Sequence, residues 1–217
     1  MHFEGDKKST RFLEQNIFNL SYAEYDGEGY YDIPQMLVTD IPDETLKYTP
    51  LQGFNFAIKE KHPERIGVHF FLHDYQFERV WNYPERYIEL LKKFKFVLSP
   101  DFSVYNDTPR AINIMNCYRK MWCARFWQDN GITVIPTVTW STARDYEYCF
   151  DGIPKNSTIA VSTMGAGRWG EFNHFDDWEL ILDKLEPKSV LLYGRDLSSQ
   201  LSGNIIYKSI VNTKVVI

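Results

Sequence analysis

The alternation of strand-like and helical patterns from residue 67 onward constrains the fold more than any other feature of the sequence. Five apolar runs are typical of buried strands: GVHFFL (67–72), FVLS (96–99), ITVIPTVTW (132–140), STIAVST (157–163) and SVLLYG (189–194). Each connection between them is long enough to contain a helix, so the pattern predicts parallel strands with right-handed crossovers. Further strands are predicted at LVTD (37–40), FNFAI (54–58) and NIIYKSI (204–210).

Seven or eight such strands predict an α/β fold with a mostly parallel sheet, arranged as a small or incomplete (β/α) barrel. An open doubly wound sheet is the alternative. The connection KEKHPERIG is too short for a parallel crossover, so FNFAI and GVHFFL are not expected to be parallel neighbours. Pro136 predicts an edge position, a bulge or an early break in its strand.

The best-defined helix is predicted to begin at Pro109 behind a Thr108 N-cap and to end at Gly131. Its apolar residues recur at helical spacing and predict an inward face that includes Ile112, Trp122 and Phe126. At 217 residues the chain suits one compact α/β domain, residues 51–217, with residues 1–50 packed on it or extending from it.

Charge is distributed unevenly along the chain, whose formal net charge is −5. Residues 1–50 have ten acidic and four basic side chains, whereas residues 79–125 have nine basic and four acidic ones. Solvated faces of amphipathic helices are the plainest explanation. The acidic segment also suits contact with a host or phage protein, and the basic segment suits nucleic acid.

The sequence excludes several classes of protein. Its N-terminus lacks the apolar core of a secretory signal, and no apolar run approaches the roughly 20 residues of a membrane span. Cys117, Cys123 and Cys149 form neither a disulfide framework nor a zinc pattern, so reduced, buried thiols are expected. No P-loop, serine elbow, HExxH or EF-hand pattern is present, and the sequence assigns no metal or cofactor. We expect a cytoplasmic protein without a membrane anchor.

Functional groups are expected after the carboxyl ends of the parallel strands, which meet at one edge of the sheet. Asp101 follows an apolar strand and suits a general base, although an aspartate there also stabilises its own turn. The adjacent His73 and Asp74 would point to opposite faces, so only one should enter a site. The predicted catalytic residues are therefore Asp101, Asp74 and His73.

The later strand ends supply residues for a ligand. The stretch from Gly165 to Gly170 reads G-x-G-x-x-G after a predicted strand, but too little chain follows it for a dinucleotide-binding domain. A loop that offers backbone N–H groups and an arginine to an anion fits better, and a plain glycine-rich connection is the structural alternative. The predicted ligand-binding residues are Trp140, Ser141, Thr163, Gly165, Gly167, Arg168, Tyr193 and Arg195.

Three long phrases, YQFERVW, LSPDFS and CFDGIPK, occur together in residues 50–195. On these phrases the chain resembles the Domain of Unknown Function 4417 family, whose members occur in phages, prophages and mobile elements of Gram-positive bacteria. The resemblance implies a mobile-element protein and brings no catalytic assignment. The chain departs from the family's pattern at His73, where an acid is usual, and at Gly167 to Gly170.

The leading hypothesis is a protein that binds or processes a phosphorylated small molecule or nucleotide at the strand ends. In this hypothesis Asp101 is the acid–base residue and Arg168 contacts the anion. The alternative is a protein-binding inhibitor of host defence, of the counter-defence or anti-CRISPR type, that uses its acidic N-terminal segment. A nucleic-acid-binding protein that uses residues 79–125 is the third hypothesis.

Overall fold

The computed structural model describes residues 19, 22–164, 175 and 177–210. The strands in chain order are β1 (Gly27–Glu28), β2 (Ile33–Pro34), β3 (Leu51–Gly53), β4 (Gly67–His69), β5 (Phe96–Leu98), β6 (Val134–Ile135), β7 (Thr158–Ser162), β8 (Ser189–Gly194) and β9 (Ile205–Ser209). The helices are α1 (Asp43–Tyr48), α2 (Phe54–Ala57), α3 (Arg79–Asn82), α4 (Ile88–Leu91), α5 (Arg110–Asp129) and α6 (Trp178–Leu185). Short 3₁₀ helices occur at Pro63–Arg65, Asp74–Gln76, Pro84–Tyr87 and Ala143–Glu147.

The seven strands β3 to β9 are parallel and follow one another in chain order across the sheet. β3 to β6 form one ladder, β7 to β9 form another, and a bridge between Thr137 and Ala160 joins them. In a flat sheet β4 and β8 would be about 19 Å apart, because neighbouring strands are about 4.8 Å apart. The rings of His69 on β4 and Tyr193 on β8 have centroids only 4.5 Å apart. The sheet is therefore strongly curled.

A second hydrophobic cluster fills the inside of this curl. Its members come from β3, the residues just after β4, strands β5 to β8 and the region around α1: Ile41, Leu46, Leu51, Phe71, Phe96, Leu98, Ile135, Ala160, Leu191 and Tyr193. Gly67 on β4 is required here, because a Cβ at that position would lie 2.4 Å from the Phe96 ring. The larger cluster lies outside the sheet, between the strands and the helices, and includes Trp122 and Trp127 of α5.

The barrel is not closed by hydrogen bonds, since the described residues include no ladder between β3 and β9. Helix α1 lies at this opening. Its Leu46 is fully buried in the inner cluster, and Lys208 of β9 donates to the Lys47 carbonyl oxygen at 2.6 Å. The described part of the acidic segment, which includes α1, is thus built into the core. Within the described residues, no helix combines the length and the apolar character that crossing a membrane requires.

The prediction of a mostly parallel α/β fold in a small or incomplete barrel is confirmed, and the chain-order strands lack the reversal of a doubly wound sheet. The strand predicted at FNFAI is wrong, because Phe54–Ala57 is helical and the strand is Leu51–Gly53. β3 pairs with β4 in parallel, since residues 54–66 provide a connection of sufficient length. The strand predicted at LVTD is also wrong, as residues 37–40 form no strand.

Other local predictions differ from the structure by small shifts. The strand with Pro136 breaks early, as predicted, and β6 is only Val134–Ile135. Gly131 follows the end of α5 with φ +82°, which confirms the predicted helix end. Ile112 does not belong to the inward face of α5, because 51% of it is exposed. The inward face instead includes Asn113, Asn116 and Lys120.

Candidate functional site

Asp101 lies in the loop after β5, at the carboxyl ends of the parallel strands. Its Oδ1 accepts hydrogen bonds from the Thr139 hydroxyl, after β6, and from Lys120 Nζ of α5 at 3.4 Å. The Lys120 side chain is 1% exposed, whereas 18% of the Asp101 side chain is exposed. We call Asp101, Lys120 and Thr139 the carboxyl-end site. The buried face of α5 thus places the Lys120 ammonium beside a carboxylate at a strand end.

Burial is the largest influence on the pKa of Asp101 and raises it, because desolvation disfavours the carboxylate. The Lys120 charge and the Thr139 hydrogen bond oppose this rise, and the Asp74 charge adds to it. The net pKa of Asp101 is above its ordinary value. No described residue donates a hydrogen bond to Oδ2, so this oxygen is free to accept one from a ligand.

Asp74 holds the loop that contains Asp101. Its Oδ1 accepts from the Ser103 hydroxyl at 2.8 Å, and its Oδ2 accepts from the Ser103 backbone N–H at 3.1 Å. Asn116 of α5 donates to the Ser103 carbonyl oxygen at 2.6 Å. Both Asp74 oxygens are thus occupied, and Asp74 is near enough to influence Asp101 electrostatically. His73 is exposed and stacks on Tyr75.

After β6, Asp145 organises the loop that begins at Trp140. Its Oδ2 accepts from the backbone N–H groups of Ser141 at 3.0 Å and Thr142 at 2.7 Å. Thr142 is the N-cap of the short 3₁₀ helix that follows, Ala143–Glu147. Trp140 is buried and packs against Phe150, with ring centroids 6.3 Å apart. This places Ser141 at the strand end and Trp140 in the core beneath it.

The ends of β7 and β8 are tied together at Thr163. The Thr163 backbone N–H donates to the Tyr193 carbonyl oxygen at 2.9 Å, and the Thr163 hydroxyl accepts from the Arg195 backbone N–H at 2.5 Å. Gly194 lies between them with φ +120°, where a Cβ would lie 2.3 Å from the Thr163 hydroxyl. Arg195 is exposed at this edge. Gly165, Gly167 and Arg168 lie outside the described residues.

His69 and Tyr193 meet inside the barrel below this edge. His69 Nδ1 accepts the Phe71 backbone N–H at 3.2 Å, which requires Nδ1 to be unprotonated. Burial lowers the pKa of His69 to about 4 and raises that of Tyr193. His69 is therefore a buried core histidine whose ring is hydrogen-bonded within the chain.

The family model described as Domain of unknown function (DUF4417) matches residues 25–208. The chain belongs to this family. The match extends beyond the residues 50–195 on which the sequence phrases showed the resemblance, and it includes α1 and the β1–β2 hairpin. The matched region thus includes residues 25–50 of the acidic segment as well as strands β3 to β8.

Two curated relatives are phage proteins. The Gene 1 protein of Mycobacterium phage L5 is 35% identical over 198 residues, which cover 88% of this chain and 84% of that protein. The Gene 1 protein of Mycobacterium phage D29 is 37% identical over 193 residues, which cover 86% and 68% respectively. These relatives support a phage protein of the DUF4417 family. No solved structure matches the chain.

Sequence reasoning missed Lys120, which contributes the only cation of the carboxyl-end site as defined above. One signal was present: Asn113, Asn116, Cys117 and Lys120 recur at helical spacing, which places the lysine on the same face as Trp127. A lysine on a helix ordinarily indicates an exposed face. Two asparagines on the same face make that face look solvent-exposed, so the sequence does not indicate that Lys120 is buried. The burial of Lys120 becomes evident only when α5 packs on the sheet.

The three cysteines are free and buried. The Sγ atoms of Cys117 and Cys149 are 3.6 Å apart, whereas Cys123 lies elsewhere on α5, where burial strongly raises its thiol pKa. In the described residues, no group of three or more His, Cys, Asp or Glu is arranged to hold a metal ion. The carboxyl-end site is therefore built from one carboxylate, one ammonium and one hydroxyl.

Proposed function

We propose that the carboxyl-end site binds a nucleotide or another phosphorylated small molecule, with Asp101 as the hydrogen-bond and proton acceptor. The observation that supports this proposal most directly is the Asp101 carboxylate, whose Oδ1 is held by Thr139 and Lys120 while Oδ2 has no described donor. A carboxylate fixed through one oxygen presents the other in a defined direction. Such an acceptor suits ribose hydroxyls or the amino groups of a base.

The electrostatics of Asp101 suit proton transfer. A general base works best when its pKa approaches the working pH, and burial moves the pKa of Asp101 upward. Lys120 limits this rise, because its positive charge favours the ionised carboxylate over the protonated carboxyl group. Asp101 therefore has the environment of a proton acceptor, and Lys120 and Thr139 position it.

The negative charge of the ligand requires a separate contact, because Asp101 and Asp74 repel anions. Arg195 is exposed at the same edge of the sheet, after β8, and pairs with no described carboxylate. A guanidinium suits a phosphate because its N–H groups bind two oxygens together. We therefore assign the neutral part of the ligand to Asp101 and its phosphate to Arg195.

Isothermal titration of the purified chain against nucleosides and their mono-, di- and triphosphates tests the proposal. We expect Asp101→Asn to weaken binding of the preferred nucleotide at least about tenfold, since a hydrogen bond to a charged group contributes about 1.5–3 kcal/mol. Asp183→Asn makes the same chemical change at an exposed residue of α6 and is the matched control. Thermal melting of both variants verifies that they are folded.

Arg195→Gln distinguishes the contact with the phosphate from the contact with the neutral part of the ligand. We expect it to weaken the nucleotide and to leave the corresponding nucleoside unchanged, because only the former has a phosphate. Failure of the unmodified chain to bind any compound in the panel would rule out the proposed function. Equal effects of the Asp101 and Asp183 variants would show that Asp101 does not contact the ligand.

A further inference from the structure

The amino-terminal edge of the sheet brings together two basic segments that are distant in sequence. The Lys95 backbone N–H donates to the Ile66 carbonyl oxygen at 3.0 Å, and Gly67 pairs with Phe96 where β4 and β5 begin. The residues that precede each strand are therefore neighbours. We call their exposed basic side chains the amino-end surface: Lys59, Lys61, Arg65, Lys92, Lys93 and Lys95.

Among the described residues, four lysines of this surface have no intramolecular counter-charge. Arg65 and Lys92 pair with Glu64 and Glu89, but no described carboxylate lies within 4 Å of the amino groups of Lys59, Lys61, Lys93 and Lys95. Their charge is therefore available to a partner. At the amino ends of β7 and β8, in contrast, Lys155 pairs with Glu186 and Lys188 pairs with Asp40.

The remaining basic residues of 79–125 are mostly used within the chain. Arg110, Arg119, Lys120 and Arg125 each pair with a carboxylate, and the Arg79 guanidinium packs over the Phe54 and Tyr87 rings. The basic side chains of residues 79–125 therefore do not form one continuous positive surface. The positive surface consists of its residues 92–95 together with residues 59–65, which lie outside the segment.

We propose that the amino-end surface binds the phosphate backbone of a nucleic-acid duplex. Flexible exposed lysines neutralise phosphates and release counterions, which requires no pocket. A protein partner would ordinarily require a buried aromatic or aliphatic anchor. Phe94 is the only Phe, Tyr or Trp in residues 59–66 and 92–95, and it is buried, whereas the aliphatic Ile58 beside Lys59 is exposed. His62 is the exposed ring in these residues and no Phe, Tyr or Trp there is available for stacking unpaired bases, which favours a duplex over a single strand.

Fluorescence anisotropy with a labelled duplex DNA of mixed sequence tests the proposal. If three or four phosphates are neutralised, the affinity should fall roughly 40- to 150-fold between about 50 and about 200 mM salt. Lys93→Gln/Lys95→Gln should lower the steepness of this log–log salt dependence by about 2, since each lysine contributes about one counterion.

Lys155→Gln/Lys188→Gln is the matched control, because it removes the same charge from the same edge of the sheet. We expect its affinity for the duplex to stay within about twofold of the unmodified chain, since those lysines already have partners. The proposal is overturned by no binding at low salt, by equal effects of the two double variants, or by equal binding of polyglutamate, which would indicate an acidic protein partner instead. Tighter binding of a single strand than of the duplex would exclude the duplex.

Discussion

The two edges of the curled sheet use charged side chains in opposite ways. At the carboxyl edge, Lys120 is buried and paired with Asp101, and Asp74 is fully occupied by Ser103. At the amino edge, Lys93 and Lys95 are exposed without a described counter-charge. Buried charges cost free energy unless they are matched, whereas solvated charges need no match. Changes at the carboxyl edge should therefore alter stability, and changes at the amino-end surface should alter only the binding of partners.

The largest effect is expected from Lys120→Met, which leaves the Asp101 carboxylate without its counter-charge. The free energy of unfolding should fall by about 3 kcal/mol, the lower end for breaking a buried pair, because Asp101 is partly exposed. The pKa of Asp101 should rise further, since Lys120 lowers it. The loss should therefore be greatest at neutral pH and shrink as the pH falls. Urea denaturation across the pH range measures it.

The double variant Lys120→Met/Asp101→Asn distinguishes whether Lys120 stabilises the fold through its charge or through the packing of its aliphatic chain. We expect it to recover about half or more of the lost stability, because no unpaired carboxylate remains. A double variant as unstable as Lys120→Met would show that Lys120 stabilises the fold through its packed aliphatic chain instead.

The next prediction concerns α1, which lies at the barrel opening and belongs to neither edge of the sheet. Leu46→Ala in α1 should lower the free energy of unfolding by about 3 kcal/mol, because Leu46 is fully buried in the inner cluster. Leu37→Ala, at a half-exposed leucine of the same acidic segment, is the matched control and should cost under about 1 kcal/mol. Similar losses in both variants would contradict a structural role for α1 at the barrel opening.

A smaller effect is expected from the protonation of His69. Its pKa is about 4 in the folded chain against 6.5 ordinarily, so the unfolded chain binds more protons between these values. Stability should therefore fall as the pH falls through this window, by about 2 kcal/mol from roughly pH 7.5 to roughly pH 5. His69→Phe should lack this part of the pH dependence, and His73→Gln should retain it. Identical profiles for His69→Phe and the unmodified chain would refute the assignment.

The strands of the sheet could be predicted where the sequence marks both ends of an apolar run. β8 coincides with the predicted SVLLYG, between Pro187 and Gly194. FNFAI was assigned to the wrong element because Phe54, Phe56 and Ile58 alternate as in a strand, whereas packing on the barrel makes Phe54–Ala57 one helical turn. The true strand, LQG, is too short and too polar to be recognised alone.

The position of Asp101 at a strand end followed from the sequence, but its partner did not. Lys120 is 19 residues further along the chain, and its contact depends on how α5 packs against the sheet. Only one half of the amino-end surface, residues 92–95, belongs to the basic segment recognised in the sequence. Residues 59–65 become its neighbours only through the pairing of β4 with β5. Long-range pairing is set by tertiary packing, which local patterns do not encode.

The smallest stability effect is expected from Lys93→Gln/Lys95→Gln, and it completes the comparison between the two edges. The free energy of unfolding should stay within about 0.5 kcal/mol of the unmodified chain, because surface substitutions without an intramolecular partner rarely change it more. Lys155→Gln/Lys188→Gln should cost up to about 1 kcal/mol per exposed ion pair removed. Urea denaturation measures both variants. If neutralising Lys93 and Lys95 cost more than about 1 kcal/mol, these lysines would stabilise the fold, and their charge would not be free for a nucleic-acid duplex.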